Sequence, residues 1–240
     1  MPESLDAVLF DLFDTLCHLD EALYREGKRR CALTLGLDPD EYFRAWLVLQ
    51  DRCQRGEVTT LEERIRLASA LLGLQAEPPT LAEVRREEEE ALLGCASLHP
   101  DALPALRDLR AMPGLKLALV SNASSPARPL LEALGLAPFF DALVFSFEVG
   151  SVKPEPGIYL AACREIGVAP GRCLFVGDGN GRELEGAMDL GMTAVRIERP
   201  AVMEAFRKSP SLRWHHSVRD LRQVADLVRS RQHSASPSVP

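Results

Sequence analysis

The chain has 240 residues, of which 46% are hydrophobic and 26% charged, and its formal net charge at pH 7 is −7. These values are typical of an ordinary soluble protein with one sizeable core, or with one core and a small inserted domain. The negative balance disfavours nonspecific binding to nucleic acid or anionic membranes, so we expect neither as a partner. No apolar run approaches the roughly 20 residues that a membrane-spanning helix needs.

The N-terminus and the cysteines indicate a cytoplasmic protein. The first six residues show no basic segment ahead of a long apolar run, which argues against a secretory signal. None of the six cysteines forms a Cys-x-x-Cys pair, and their spacing suggests neither a zinc site nor a disulfide framework. Reduced and mostly buried thiols are the simplest interpretation.

The first predicted element is a strand over residues 6–12, whose continuous apolar pattern is typical of a sheet buried on both faces. Helical periodicity follows from about residue 20 to 93. Asp38 ahead of a proline predicts one helix start, and Thr59 or Thr60 ahead of two glutamates predicts another. Four amphipathic helices without a convincing strand predict a helical bundle inserted after the first strand.

From residue 100 onward, helices and strands alternate. The predicted helices cover 102–111, 126–134, 156–166, 184–190 and 218–230, and the predicted strands cover 115–120, 142–145, 172–176 and 193–197. Repeated βα units of this kind predict a doubly wound parallel sheet with helices on both faces. We therefore expect an α/β core formed by residues 1–17 and 97–230, a helical cap domain over 18–96, and a disordered Ser/Pro-rich tail over 231–240.

Polar side chains recur at the ends of the predicted strands. Asp11 ends the first strand, Ser121 ends a later one, Lys153 lies in a Ser-Val-Lys-Pro loop, and Asp178 follows a Cys-Leu-Phe-Val-Gly strand. A single strand-end aspartate would more often cap the following loop, and a single Ser-Asn pair would more often form a turn. Four such positions in order instead indicate one composite site, because the carboxyl ends of parallel strands meet at one edge.

With these motifs the chain resembles the haloacid dehalogenase superfamily of hydrolases, and the resemblance covers nearly the whole chain. It implies a Rossmann-like core with a helical cap, and Asp11 as a nucleophile that forms a covalent aspartyl intermediate. By the same resemblance, Ser121 and Lys153 take part in catalysis by holding the transferred group. Asn122 and Phe13 are expected to contact the substrate, which we expect to be a small molecule.

The resemblance also implies a Mg²⁺ cofactor. Asp11, Asp178 and the backbone carbonyl of Phe13 would be its ligands, in keeping with the preference of Mg²⁺ for oxygen. Glu183 and Asn180, in the glycine-rich segment after Asp178, would contact these ligands rather than the ion itself, or act through a water molecule. Glu183 has an equally good alternative, in which it satisfies the dipole at a helix N-terminus.

Two positions depart from the usual phosphatase pattern of the superfamily. Most of those phosphatases have an aspartate two places after the nucleophile as general acid and base, whereas this chain has Phe13. Asp14 stands where they usually have glycine, and we expect its side chain to point away from the nucleophile. General acid–base help is worth about 10²–10⁴-fold, so the change at Phe13 bears on the reaction.

An aromatic residue at this place is typical of the 2-haloacid dehalogenases of the superfamily, in which the leaving halide needs no proton. Asp178 argues against that activity, because those enzymes lack the metal-binding carboxylate. They also have a halide-binding arginine in the cap, and the matching region here has Tyr42, with Arg44 nearby. Substrate contacts from the cap are expected among a set from which spacing selects none: Tyr24, Arg25, Arg29, Arg44, Arg52 and Arg55.

Three functions therefore stay open on the sequence alone. A Mg²⁺-dependent phosphatase acting on a small phosphorylated metabolite is favoured. The first alternative is a metal-independent 2-haloacid dehalogenase, in which Lys153 and Asn122 support attack by Asp11 on carbon. The second is a ligand-binding protein of low or no activity. Monomer and homodimer are both compatible with the sequence.

Overall fold

The computed structural model describes residues 5–199 and 204–234. Its strands are β1 (Ala7–Phe10), β2 (Cys17–Leu19), β3 (Ala96–Leu98), β4 (Lys116–Ser121), β5 (Ala142–Phe145), β6 (Cys173–Gly177), β7 (Thr193–Ile197) and β8 (His216–Val218). Its α-helices are α1 (Glu21–Thr34), α2 (Pro39–Val48), α3 (Gln50–Gln54), α4 (Leu61–Leu71), α5 (Pro78–Cys95), α6 (Ala102–Arg110), α7 (Ala127–Ala133), α8 (Ser146–Val149), α9 (Pro156–Ile166), α10 (Glu183–Asp189) and α11 (Arg222–Ser234).

Six parallel strands form the main sheet in the order β5-β4-β1-β6-β7-β8. In the register of this sheet, Phe10 of β1 lies beside Leu119 of β4 and Val176 of β6. The chain runs outward from β1 through β4 to β5 and then crosses back to β6, so the strand order reverses at β1. In open α/β sheets the crevice beyond the carboxyl end of such a strand is where ligands bind.

The sheet is buried on both faces, as the continuous apolar pattern of β1 predicted. All four residues of β1 are buried. Val8 and Phe10 pack into the apolar cluster on one face, and Ala7 and Leu9 pack into the cluster on the other. This alternation is the period of two that side chains follow along a strand. The prediction of a doubly wound α/β core is confirmed.

Helices α1–α5 lie between β2 and β3 and are called the helical bundle below. β2 and β3 pair antiparallel with each other, with Leu19 beside Ala96, so the chain enters and leaves the bundle side by side. The predicted helix starts are present. The Asp38 side chain accepts hydrogen bonds from the first-turn amides of α2, and the Thr60 hydroxyl accepts one at 3.1 Å from the Glu63 amide of α4.

Some elements differ from the sequence-based expectation. The bundle has five helices rather than four, because α2 and α3 are separated at Leu49, where neither glycine nor proline marks the break. β2, β3 and β8 have three residues each, which is too short for a periodic pattern to reveal them. The terminal helix begins at Arg222 and extends to Ser234, into the predicted tail, while residues 235–240 of that tail lie outside the described residues.

Among the described residues, no helix combines the length and the apolar character needed to cross a membrane.

Candidate active site

Asp11 and Lys153 form an ion pair at the carboxyl end of β1. Asp11 is buried, and its backbone amide donates to the carbonyl of Val176 at 2.9 Å, which continues the pairing of β1 with β6. Lys153 Nζ lies 2.5 Å from Asp11 Oδ1 and 2.6 Å from Glu183 Oε2. The structure therefore brings together three of the residues named from the sequence, from three separate segments of the chain.

Asn122 fixes the loop that carries Lys153. Its Oδ1 accepts a hydrogen bond at 2.7 Å from the backbone amide of Lys153, and its Nδ2 donates at 3.0 Å to the carbonyl of the same residue. This reciprocal pair of bonds commits most of the Asn122 side chain to the protein, although the residue also lines the cavity. Asn122, expected to contact the substrate, thus has a positioning contact in addition.

Ser121 ends β4 and is fully buried. Its hydroxyl has no hydrogen-bond partner among the described residues. A buried hydroxyl without a partner costs free energy unless another group satisfies it. An oxygen of a bound ligand would do so, but at this strand end it is Asn122, Ala123 and Ser124 that line the cavity.

Glu183 and Asp178 complete an acidic cluster. Oxygens of Asp11, Asp178 and Glu183 all lie within 4.8 Å of one another. Glu183 begins α10, and besides its ion pair with Lys153 it accepts a hydrogen bond at 3.0 Å from the Gly179 amide. These contacts leave both interpretations of Glu183 open, since one is to a cation of the site and the other to a backbone amide of the glycine-rich segment.

Asn180 serves a neighbouring segment of the chain. Its Oδ1 accepts at 2.8 Å from the Lys208 amide, and its Nδ2 donates at 3.3 Å to the Phe206 carbonyl. Its own amide donates to Asp178 Oδ1 at 3.1 Å. Asn180 therefore connects Asp178 to the segment that carries Arg207.

Arg207 belongs to the site, and sequence reasoning missed it. Its Nη1 donates to Asp178 Oδ2 at 2.6 Å, and its Nη2 lies 3.6 Å from Asp14 Oδ2. The residue follows a short 3-10 helix far along the chain, and no spacing or motif relates it to the four strand ends. Its guanidinium partly compensates the negative charge of Asp178 and Asp14.

The expectation that the Asp14 side chain points away from the nucleophile does not hold. The backbone of Asp14 is left-handed, with a φ of 58°, and its side chain lines the same cavity as Asp11. This conformation is one that glycine adopts without strain and that other residues rarely adopt. Burial and the nearby Asp178 raise the pKa of Asp14 to about 6, against the opposing effect of Arg207.

The site carries an excess of negative charge. Four carboxylates, Asp11, Asp14, Asp178 and Glu183, face two cations, Lys153 and Arg207, so two negative charges are uncompensated when all are ionised. Burial raises the pKa of Asp11 despite Lys153, and raises that of Glu183 well above its usual range. A divalent cation with a preference for oxygen would balance this charge, so the donor set fits Mg²⁺.

The segments that follow β1, β4 and β6, the loop that carries Lys153, and the helical bundle line a cavity of about 180 Å³. This volume is below the roughly 300–1,000 Å³ of pockets for drug-sized ligands, and it suits a small metabolite. Asp11, Phe13 and Lys153 line its core side. The bundle side is lined by polar, charged and aromatic side chains: Tyr24, Lys28, Trp46, Gln50, Gln54 and Arg64.

Of the bundle residues expected to include substrate contacts, Tyr24 lines the cavity. Four arginines of that set instead form ion pairs with neighbouring carboxylates: Arg25, Arg29, Arg52 and Arg55. Tyr42 is fully buried, and its hydroxyl donates to Glu88 at 3.3 Å. Arg44, near Tyr42, is exposed on α2 and does not line the cavity, whereas Arg64 of α4 does.

A doubly wound sheet with a buried aspartate–lysine pair at the end of β1 and an acidic loop after β6 is the arrangement of an α/β enzyme whose site lies at the carboxyl ends of its strands. The chain belongs to the haloacid dehalogenase-like hydrolases, since the sequence pattern of that family matches residues 5–191.

The chain is similar to curated phosphatases. It is 32% identical to the glyceraldehyde 3-phosphate phosphatase of Methanopyrus kandleri over 236 residues, which are 94% of this chain and 97% of that protein. The solved structure of a HAD phosphatase from Thermococcus onnurineus matches 93% of this chain and 98% of its own, with 25% identity and a TM-score of 0.67. The L-2-haloacid dehalogenase of Xanthobacter autotrophicus shares the fold at a TM-score of 0.64, with 22% identity and coverage of 94% and 98%.

Proposed function

We propose that the chain is a Mg²⁺-dependent phosphatase that acts on a small phosphorylated metabolite. The observation that carries the proposal is the joint position of Asp11, Asp178 and Glu183, whose oxygens lie within 4.8 Å of one another around Lys153. A nucleophile and a donor set for a divalent cation then face the same small cavity. The two similar phosphatases, one of them named for a three-carbon phosphate ester, support the same reaction class.

In this proposal the Asp11 carboxylate attacks phosphorus, the ester P–O bond breaks, and the departing alkoxide takes a proton from water. A water molecule then attacks the aspartyl phosphate, which releases inorganic phosphate and restores the carboxylate. Lys153 orients the Asp11 carboxylate and neutralises the charge that develops beside it. The hydroxyl of Ser121 has no described partner but does not line the cavity, so it would donate to a phosphoryl oxygen only after the strand end shifts. Phe13, in the cavity wall, would contact the substrate and help to exclude water.

Asp11, Asp178 and the carbonyl of Phe13 would hold the metal ion, with Glu183 and Asn180 supporting them. When bound, Mg²⁺ would neutralise phosphoryl oxygens and the excess charge of the carboxylates. Arg207, which donates to Asp178 at 2.6 Å, would share that carboxylate with the ion or move away from it. We also infer a cytoplasmic location, supported by six cysteines that are all free and buried.

Hydrolytic dehalogenation of 2-haloacids is the second candidate, because Phe13 lines the cavity in place of an acid–base aspartate. A 2-haloacid would present carbon to Asp11, with Lys153 and Asn122 in support. The acidic cluster argues against this activity, since the reaction needs no metal and would leave the cluster without a role.

Hydrolysis of p-nitrophenyl phosphate, with Mg²⁺ and with chelator, tests the proposal. We expect metal-dependent turnover that Asp11→Asn abolishes and that the control Asp189→Asn, on an exposed carboxylate of α10, leaves intact. Halide release from 2-chloropropionate in the presence of chelator would instead establish the dehalogenase. No turnover of either substrate above the Asp11→Asn level would favour a ligand-binding protein.

A further inference from the structure

We propose that the substrate carries a carboxylate in addition to its phosphate, and that Arg64 of the helical bundle binds that carboxylate. The inference deepens the proposed phosphatase function and rests on it. It assigns the two ends of the cavity to different parts of the substrate. The phosphate lies against the core at Asp11, and the carboxylate lies against the bundle.

Arg64 is an arginine with hydrogen-bonding capacity to spare. It is only 4% exposed and lines the cavity. Its Nη2 donates to the Trp46 carbonyl at 2.8 Å and to Gln50 Oε1 at 2.7 Å, so both hydrogens of this nitrogen are used. Its buried Nε has no acceptor in the described part of the chain. The remaining nitrogen, Nη1, donates to no described residue and is the donor left for a ligand oxygen in the cavity that Arg64 lines.

The charge of Arg64 is also uncompensated. Among residues 5–199 and 204–234, no carboxylate oxygen lies within 4.0 Å of its guanidinium. The other bundle cation at the cavity, Lys28, is paired with the buried Glu88. Buried charges are normally paired. On the bundle side of the cavity, the Arg64 guanidinium is therefore an unpaired positive charge that a bound anion would compensate.

The neighbours of Arg64 hold its guanidinium in one place. Its central carbon lies 3.8 Å from the centroid of the Trp46 ring, and the ammonium of Lys28 lies 3.5 Å from the same centroid. Stacking on an aromatic face and two acceptors on Nη2 limit the rotamers of the side chain. A fixed guanidinium recognises a planar anion better than a mobile ammonium does, because its donors match the geometry of a carboxylate.

The size of the cavity favours a carboxylate over a second phosphate, because about 180 Å³ must also hold the first phosphate. Gln54 adds a further feature. It is 8% exposed and lines the cavity, and its Oε1 accepts no described hydrogen bond, whereas its Nε2 reaches the Asn122 carbonyl at 3.5 Å. An acceptor without a partner and an unpaired cation that line the same cavity suit a substrate with both a hydroxyl and a carboxylate.

A matched pair of substrates tests the inference. 3-Phosphoglycerate and glycerol 3-phosphate share a three-carbon skeleton and differ in the carboxylate. We expect the wild type to prefer 3-phosphoglycerate in kcat/KM, and Arg64→Gln to lower that value about 10–100-fold, as the loss of a charged hydrogen bond predicts. The same variant should change the value for glycerol 3-phosphate much less, and Arg64→Lys should restore part of the preference.

Arg66→Gln, on the exposed side of the same helix, is the matched control and should leave both values unchanged. An equal loss on both substrates, or a wild type without preference, would overturn the inference, because Arg64 would then only support the bundle. Binding of the two compounds to Asp11→Asn protein, measured by calorimetry, separates this failure from that of the phosphatase. Tighter binding of 3-phosphoglycerate that depends on Arg64 would uphold the carboxylate site even without turnover.

Discussion

At the scale of single residues, Lys153 stands out because its ammonium is buried and pairs with two carboxylates. Its ammonium is buried between Asp11 and Glu183, at 2.5 and 2.6 Å, and both carboxylates raise its pKa against the opposing effect of burial. Such an arrangement is costly to disturb, because removal of one partner leaves buried charge without compensation. Lys153 is thus a structural cation as well as a candidate catalytic group.

We predict that Lys153→Met lowers the free energy of unfolding by about 3–5 kcal/mol, the usual cost of breaking a buried ion pair. Adding Glu183→Gln to that variant should recover part of the loss, since one of the stranded carboxylates is then neutral. Urea denaturation of the two single variants and the double variant measures the coupling. Strictly additive losses would show that the Lys153–Glu183 contact contributes nothing.

The site residues that could be predicted from the sequence are those whose position follows directly from the strands of the sheet. Asp11, Lys153 and Asp178 could be named because they follow buried strands or their loops, and parallel strands end at one edge. Arg64 and Arg207 could not. Arg64 reaches the cavity only through the packing of the bundle, and Arg207 through a segment held by Asn180. Such long-range placement leaves no local pattern in the sequence.

At the scale of elements, the approach of α1 to α5 depends on a small residue. A methyl group at Gly27 of α1 would overlap the Cβ of Ala91 in α5. Gly94, also in α5, has no atom within 4 Å of the place where its Cβ would be. An alanine substitution at Gly27 therefore tests close packing, whereas the same substitution at Gly94 tests helix propensity alone.

We predict that Gly27→Ala destabilises the protein by about 1–3 kcal/mol through overpacking, despite the better helix propensity of alanine. Gly94→Ala should instead leave stability unchanged or raise it by up to about 1 kcal/mol. Thermal denaturation of both variants tests this pair. Similar effects from the two substitutions would mean that α1 and α5 can separate without cost.

Two histidines meet where β2 and β3 join the helical bundle to the core. The His18 and His99 rings lie 5.1 Å apart, and His99 Nε2 has no hydrogen-bond partner among the described residues. Burial, with Arg199 and His18 nearby, lowers the pKa of His99 from 6.5 to about 4, against the opposing effect of Asp101. The folded protein therefore favours the neutral ring.

We predict that His99 makes the protein less stable as the pH falls from about 6.5 towards 4. In that range the unfolded chain takes up a proton on this ring before the folded one does, so acid favours unfolding. After allowance for solvent screening, the effect is on the order of 1–2 kcal/mol. Unfolding in urea at pH 4.5 and 7.5 should show a smaller pH dependence for His99→Gln; an unchanged dependence would exclude this role.

The elements themselves were predictable where periodicity extends over several turns or strand residues, as in β1 and in the helix starts at Asp38 and Thr60. The short strands that connect the helical bundle to the core were not predictable. β2 and β3 are recognisable only as partners of each other, since the information for their pairing lies in residues 77 positions apart, such as Leu19 and Ala96. A pattern read along the chain cannot show such a pairing.

At the scale of the whole molecule, the proposed Mg²⁺ would compensate the excess charge of the site, so its binding would stabilise the folded protein. A ligand that binds the folded protein alone stabilises it by about 2.7 kcal/mol at a concentration 100-fold above its Kd. We predict that Mg²⁺ raises Tm relative to chelator-treated protein and that Asp178→Asn removes most of this shift. Calorimetry in both conditions measures it, with Asp189→Asn as the control; a full shift in Asp178→Asn would place the ion elsewhere.

The pairing of Leu19 with Ala96 also has a consequence for how this protein could change over evolutionary time. Because the two ends of the insertion are neighbours in a ribbon, a short turn or a different bundle could join them without moving any strand of the main sheet. If the core binds the phosphate and the bundle binds the rest of the substrate, as we propose, the two parts would then be inherited as separate modules. New specificities could arise by exchange of one module while the chemistry of the other is preserved.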